Sequence, residues 1–210
     1  MILEIFPSGP YLTNAIILAC EITLQAVVID PGVGSESVIL DFAKKKNLKI
    51  EKILITHSHW DHMADVAPLK EKTKAKVYIN EEDAPNLEKP GADKLPLFFK
   101  IKGVKPDHFV KDKDVIKVGK LEIEVISTPG HSPGGVCYYL KKEKILFSGD
   151  TLFNGSIGNI SFPLSEPTRM WQSLKKLSKL PSETKVIPGH GETTTIGKEK
   201  WLNNAEDYFS

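Results

Sequence analysis

Short apolar runs alternate with polar turns along this chain, and the period of the apolar positions changes from place to place. Residues 2–6 and 12–20 have strand character and are joined by the turn Pro7-Ser8-Gly9-Pro10. A third strand, 25–29, ends at Asp30-Pro31-Gly32. Residues 36–46 carry Val38, Ile39, Phe42 and Ala43 at helical spacing, with lysines in the last turn. Residues 52–55 predict a short strand whose run Ile53-Leu54-Ile55 is fully apolar, as in a strand buried on both faces. Residues 64–74 predict a helix, which tolerates Pro68 only in its first turn. Residues 76–79 predict another strand.

Four prolines break up the next stretch, 80–110, where 81–87 predicts a short helix. Leu97-Phe98-Phe99 within it either covers the core or lines a substrate entrance. Strands follow at 114–118, 121–127, 135–140 and 144–148. Residues 166–180 form an amphipathic helix, with Met170, Trp171, Leu174 and Leu177 on one face and Lys175, Lys176 and Lys179 on the other. A strand at 185–187 and a terminal helix at 195–208 complete the pattern. Each half lays down strands first and ends with a helix and a strand. An α/β fold with two facing sheets and helices outside, a four-layer αββα sandwich, accommodates this order.

Composition narrows the function. The 210 residues suit one domain spanning 1–210. A net charge of +1 gives no field for nucleic acid. No apolar run has bilayer length, so no membrane partner is expected. The N-terminus lacks a basic region and carries Glu4, which predicts a cytoplasmic protein. Cys20 and Cys137 each sit in an apolar run and read as small buried residues.

Three of the six histidines fall in Thr56-His57-Ser58-His59-Trp60-Asp61-His62, directly after Ile53-Leu54-Ile55. His57 and His59, two apart on an extended segment, share a face. Asp61 and His62 join them if the chain turns into a helix at Asp61, where Asp61 is also a reasonable N-cap. Desolvating these four groups together is costly unless a cation compensates them. His131, Asp150 and His190 each follow an apolar strand and small turn residues, the format by which a rigid sheet presents ligands from separate loops. Five histidines and two aspartates are nitrogen and oxygen donors suited to zinc, iron or manganese. They are too many for one tetrahedral ion and match two divalent ions bridged by a carboxylate and a solvent oxygen, a hydrolytic arrangement.

These residues resemble the metallo-β-lactamase superfamily. The strings Thr128-Pro129-Gly130-His131-Ser132-Pro133-Gly134, Gly149-Asp150-Thr151-Leu152-Phe153 and Pro188-Gly189-His190-Gly191, with the tail Thr193-Thr194-Thr195-Ile196-Gly197-Lys198-Glu199-Lys200, are similar to its glyoxalase II-like (hydroxyacylglutathione hydrolase-like) branch. The resemblance implies that His57, His59 and His131 hold one metal, Asp61, His62 and His190 the other, and that Asp150 bridges them. It places Asp30 behind the metal loops as a support and makes Asp61 the catalytic candidate as well as a ligand. It implies two ions, zinc first and iron or manganese as alternatives, and hydrolysis of a small-molecule thioester by a metal-bridging hydroxide. A thiolate leaves readily, so no strong general acid is needed, and the remaining histidine, His108, lies in a lysine-rich segment expected at the surface.

Two departures bear on the substrate. Relatives in that branch continue Gly-Asp-Thr-Leu-Phe into a glycine and a basic residue, a candidate glutathione contact. Here Asn159 takes that place and becomes the candidate substrate contact. Glyoxalase II proper also has a further helical domain, which the short stretch after His190 does not supply. The same branch admits a persulfide dioxygenase-like enzyme with one iron at His57, His131 and Asp150, and the superfamily includes lactonases. The sequence leaves the oligomeric state open.

Overall fold

The computed structural model describes residues 1–210. Its first sheet runs in sequence order: β1 (Ile2–Ser8), β2 (Thr13–Ala19), β3 (Gln25–Ile29), β4 (Lys49–Leu54), β5 (Lys76–Asn80) and β6 (His108–Val110). The β1–β2–β3 meander is antiparallel, and β3 to β6 are parallel. The second sheet contains β7 (Val115–Val118), β8 (Leu121–Ser127), β9 (Val136–Leu140), β10 (Ile145–Gly149), β11 (Lys185–Pro188) and β12 (Thr194–Thr195), again in order. Only β10 and β11 pair in parallel there.

Side-chain alternation along β2 explains the layering. Ala15, Ile17 and Ala19 pack toward α1 (Glu36–Lys45) and α3 (Val66–Thr73). Ile16, Leu18 and Cys20 point the other way, against Val125, Tyr138 and Phe147 of the second sheet. On the far side of that sheet, Cys137, Tyr139 and Leu146 meet Met170, Leu174 and Leu177 of α5 (Pro167–Leu177). The result is the expected helix–sheet–sheet–helix sandwich. A strand buried on both faces has no polar alternation to display, which is why β2 reads as a continuous apolar run. Both cysteines are buried in these interfaces. No helix is long and apolar enough to cross a membrane.

Four expectations are corrected. The helix expected at 64–74 is α3 and starts only at Val66; a separate turn, α2 (Trp60–Met63), precedes it, and the Asp65 N–H between them donates to the Pro31 carbonyl. Pro68 then falls in the first turn of α3, as required. The N-cap of α2 is His59, two residues before Asp61, so Asp61 lies inside α2 and does not cap it. The helix expected at 195–208 starts only at Lys200, with a 3₁₀ turn (Lys200–Asn204) and α6 (Ala205–Phe209). Thr194 and Thr195 are spent on β12, and buried Glu199 accepts from Thr194 Oγ1 and Trp201 Nε1. Finally, β6 was not legible in the sequence. Its His108 is exposed, as expected, and stacks on Tyr78.

Asp107 secures that added strand. It accepts from Lys70 Nζ of α3 at 2.7 Å, Lys76 Nζ at 3.1 Å and the Val77 N–H at 2.9 Å. Burial alone would raise its pKa, but these donors outweigh it and hold the carboxyl well below the usual range. A depressed folded pKa contributes stability above the unfolded value of about 3.9, and that stability is lost as pH falls below it. Asp107→Asn is therefore expected to cost about 1–2 kcal/mol at pH 7. The gap from wild type should narrow as pH falls below about 4, measured by urea unfolding. A gap that is constant with pH would exclude the charge as its cause.

Candidate metal centre

All the chemistry-bearing residues lie beyond the carboxyl ends of strands at one edge of the sandwich, and all of these strands except β8 have a parallel neighbour, the setting in which such sheets present ligands. Asp30 follows β3, His57 to His62 follow β4, His131 follows β8, Asp150 follows β10 and His190 follows β11. The structure brings together all seven residues singled out as candidate ligands. His57, His59 and His131 form one triad of donors, and Asp61, His62 and His190 form another. Asp150 lies between them. Its Oδ1 is 3.3 Å from His62 Nε2, and its Oδ2 is 3.4 Å from His131 Nε2 and 3.5 Å from His190 Nε2.

Hydrogen bonds to the frame aim the imidazoles. Nδ1 of His131 donates to the Asn159 carbonyl at 2.7 Å, and Nδ1 of His190 to the Tyr11 carbonyl at 2.9 Å. Nδ1 of His62 is 3.0 Å from Asp30 Oδ2. Thr56 Oγ1 donates to Asp30 Oδ2 at 2.6 Å, so it accepts from His57 Nδ1 at 3.1 Å. With Nδ1–H committed outward, each Nε2 lone pair points inward. His59 is held edge-on against Phe162 instead.

The inward side supplies the test of fit. His57 Nε2, His131 Nε2 and Asp150 Oδ1 are buried with no hydrogen-bond partner in the protein, at about 1–3 kcal/mol for each such group. His62 Nε2 and His190 Nε2 face each other at 3.1 Å, which two lone pairs do not do without a proton or a cation between them. Donors about 2.0–2.1 Å from a tetrahedral ion lie roughly 3.3 Å apart, the spacing seen here. The donor set fits divalent metal.

The metal-free charge balance is consistent with this. Burial, with His62 and His59 next to it, pushes the His57 pKa well down, and burial likewise takes His59 to about 3. Burial also opposes charge on His62 and His190, but the carboxylates of Asp61 and Asp150 outweigh it, lifting His62 well above its usual value and His190 to about 9. Asp61, despite burial, is lowered to about 2 by His62 and His190.

Several supporting residues had no signal in the sequence. Thr13 Oγ1 donates to Asp61 Oδ2 at 2.9 Å. Asn14 Nδ2 donates to the carbonyls of Pro188 and Gly191, bracketing His190. Gly189 must be glycine because a Cβ there would lie 2.1 Å from Asp150 Oδ1. Asp83 accepts the Ser58 N–H at 2.8 Å and the Gly134 N–H at 2.7 Å, and Asn86 Nδ2 donates to the Ser58 carbonyl at 2.5 Å. This pair, at the start of α4 (Ala84–Glu88), ties the His57–His62 loop to the His131 loop. Burial holds the Asp83 carboxyl above its usual pKa even with both amides donating to it. Asp83→Ala leaves two buried amides unpaired and is expected to destabilise the fold by about 2–4 kcal/mol, with Asp83→Asn recovering part of the loss. A denaturation midpoint within about 0.5 kcal/mol of wild type would remove this clamp from the account. Asn159, the candidate substrate contact, lines the cleft. Its carbonyl orients His131 and its Oδ1 accepts the Ser161 N–H at 2.7 Å.

The sequence pattern of the metallo-beta-lactamase superfamily matches residues 8–190. The probable metallo-hydrolase YqgX of Bacillus subtilis is 33% identical over 207 residues, covering 97% of this chain and 97% of that protein. A hydroxyacylglutathione hydrolase of Francisella tularensis subsp. novicida is 35% identical over 183 residues, covering 87% of this chain and 62% of that longer protein. Among solved structures, the B3 metallo-beta-lactamase BLEG-1 is 36% identical with a TM-score of 0.86, covering 94% of this chain and 96% of its own. TTHA1623 in a di-iron-bound form is 35% identical with a TM-score of 0.80, covering 95% and 98%. ETHE1 from Myxococcus xanthus is 28% identical with a TM-score of 0.79, covering 97% and 83%. With this fold, these converging donors and a pattern match over most of its length, the chain belongs to the metallo-β-lactamase superfamily.

Proposed function

We propose that the chain is a metal-dependent thioester hydrolase with two ions, zinc first among the candidates. His57, His59 and His131 hold one ion, Asp61, His62 and His190 hold the other, and Asp150 bridges them. The observation that carries this reading is the pair of donor triads on either side of one carboxylate, with buried acceptors that have no other partner. When bound, the ions supply a nucleophile from water at neutral pH and polarise the substrate carbonyl. The protein's own part is to hold the donors rigid through Asp30, Thr56, Asn159 and Tyr11, and to keep bulk water from the buried side of the cluster.

Two observations support a thioester. One is the likeness to a hydroxyacylglutathione hydrolase. The other is the cleft, which beyond five of the seven donors offers only Tyr11, Asn159 and the indole of Trp60 as polar side chains, none of them a strong acid. A thiolate leaves without a strong acid, whereas an amide nitrogen needs a proton.

The ETHE1 likeness favours a second reading, a persulfide dioxygenase-like enzyme with one iron at His57, His131 and Asp150. The complete second triad of Asp61, His62 and His190 weighs against it. Metal quantification, a thioester panel that includes S-lactoylglutathione, and oxygen uptake separate the two. Two ions per chain with thioester cleavage are expected. One iron per chain with oxygen consumption would overturn the hydrolase.

Chelation is expected to abolish turnover and to remove about 3 kcal/mol of stability if the ion is normally present at about a hundred times its Kd. At about 2–4 °C per kcal/mol, the melting temperature should fall by roughly 5–10 °C and recover with added zinc. An unchanged melting curve would argue against metal at this cluster.

A further inference from the structure

The cleft over the donors has a volume of about 450 Å³. His59, Asp61, His131, Asp150 and His190 form its floor. Tyr11, Trp60, Leu95, Pro96 and Phe98 line it above them, together with Phe153 and Phe162. No lysine or arginine lines it. Lys94 and Lys100 flank the Leu95–Phe99 segment in sequence but lie outside the lining.

The aromatic wall is built as a unit. The ring of Trp60 is 5.2 Å from Tyr11, 5.7 Å from Phe98 and 5.4 Å from Phe99. Trp60 itself is buried, but Phe98 is 69% exposed and Tyr11 is 54% exposed. Large aromatic side chains left to water around one concave site mark a surface that awaits an apolar partner. The wall is also continuous with the chemistry. Trp60 sits between His59 and Asp61 in the chain, and the Tyr11 carbonyl accepts from His190 Nδ1. A group resting on Trp60 and Phe98 therefore lies beside the reacting carbonyl.

Resting on the thioester reading of this site, we infer that the wall takes an uncharged, apolar or aromatic group of the thioester, and that glutathione is not the thiol recognised. Burying apolar surface here gains about 25 cal/mol per Å². A glutathione carboxylate in the same place would lose its water and meet no cation, and an unpaired buried charge is strongly disfavoured.

The test uses the metal-loaded full chain and three thioesters: S-benzoyl-N-acetylcysteamine, S-acetyl-N-acetylcysteamine and S-lactoylglutathione. Binding of the inert thioether S-benzyl-N-acetylcysteamine is measured in parallel by calorimetry. The benzoyl substrate is expected to have the highest kcat/KM of the three. Phe98→Ala, at an exposed position that does not threaten folding, is expected to lower the benzoyl to lactoylglutathione ratio about tenfold, mostly through KM, and to weaken thioether binding by a similar factor. Preference for S-lactoylglutathione would overturn this inference while leaving the hydrolase intact. Cleavage of no thioester would overturn the hydrolase, and thioether binding would still judge the wall. Binding that is absent, or indifferent to Phe98→Ala, overturns the wall.

Discussion

Asp150→Ala is expected to lower thioester hydrolysis by about three orders of magnitude, the equivalent of about 4 kcal/mol of transition-state stabilisation. Asp150 carries the carboxylate that reaches both triads, through Oδ1 to His62 and through Oδ2 to His131 and His190. Burial would push its carboxyl upward, but the imidazoles of His62, His190 and His57 hold it well below the usual range, so it meets a cation as an anion. Removing it takes away the one negative charge between the triads and leaves a gap that Gly189, in close contact with Oδ1, cannot fill. Both ions should be disturbed. Asp150→Asn keeps the shape and loses the charge, so it should also bind metal poorly, which separates charge from packing. Metal counts per chain alongside kcat/KM decide the matter: an alanine variant that holds both ions at full occupancy would disprove the bridging role.

The fold and the donors were legible because each leaves a local trace. A strand segment buried on both faces is apolar, and β2 from Ala15 on and the end of β4 were found this way. Donors offered from strand ends need imidazoles and carboxylates among small turn residues, and the loops at His131, Asp150 and His190 have that form. The residues that were not legible act only through tertiary contacts. Asp83 sits in Asn80-Glu81-Glu82-Asp83, an ordinary polar turn, and nothing nearby says that its carboxylate grips the amides of Ser58 and Gly134. Strand β6 is three residues between Pro106 and Lys111, too short for alternation to register. The terminal helix was drawn too long because Thr194, Thr195 and Glu199 have partners that periodicity cannot reveal. Leu97-Phe98-Phe99 carried two readings, and exposure resolves them, since Phe98 forms the rim of the cleft and is not core.

Asp30→Ala should produce the largest loss of stability, about 3–5 kcal/mol, because it removes one partner from a buried charged network. Asp30 is 2% exposed and stands at the end of β3 with φ +48°, a left-handed conformation that aspartate adopts more readily than most residues. One oxygen accepts the Thr56 N–H at 2.7 Å, and the other accepts Thr56 Oγ1 and faces His62 Nδ1. Through Thr56 it also sets His57. Alanine leaves that amide, hydroxyl and imidazole N–H unpaired in a site without room for much water, and adds strain of about 1 kcal/mol at the positive φ. Asp30→Asn keeps the conformation and one acceptor oxygen, so its loss should be clearly smaller. Since Asp30 orients His62 and His57 without reaching the cleft, both variants should also weaken metal affinity by about 10–100-fold. Urea unfolding of the metal-free proteins isolates the stability effect, and metal titration isolates the orienting effect. If alanine and asparagine cost the same in urea, the carboxylate's charge and not its hydrogen bonds holds the loop. If neither changes metal affinity, Asp30 braces β3 and β4 but does not aim the imidazoles.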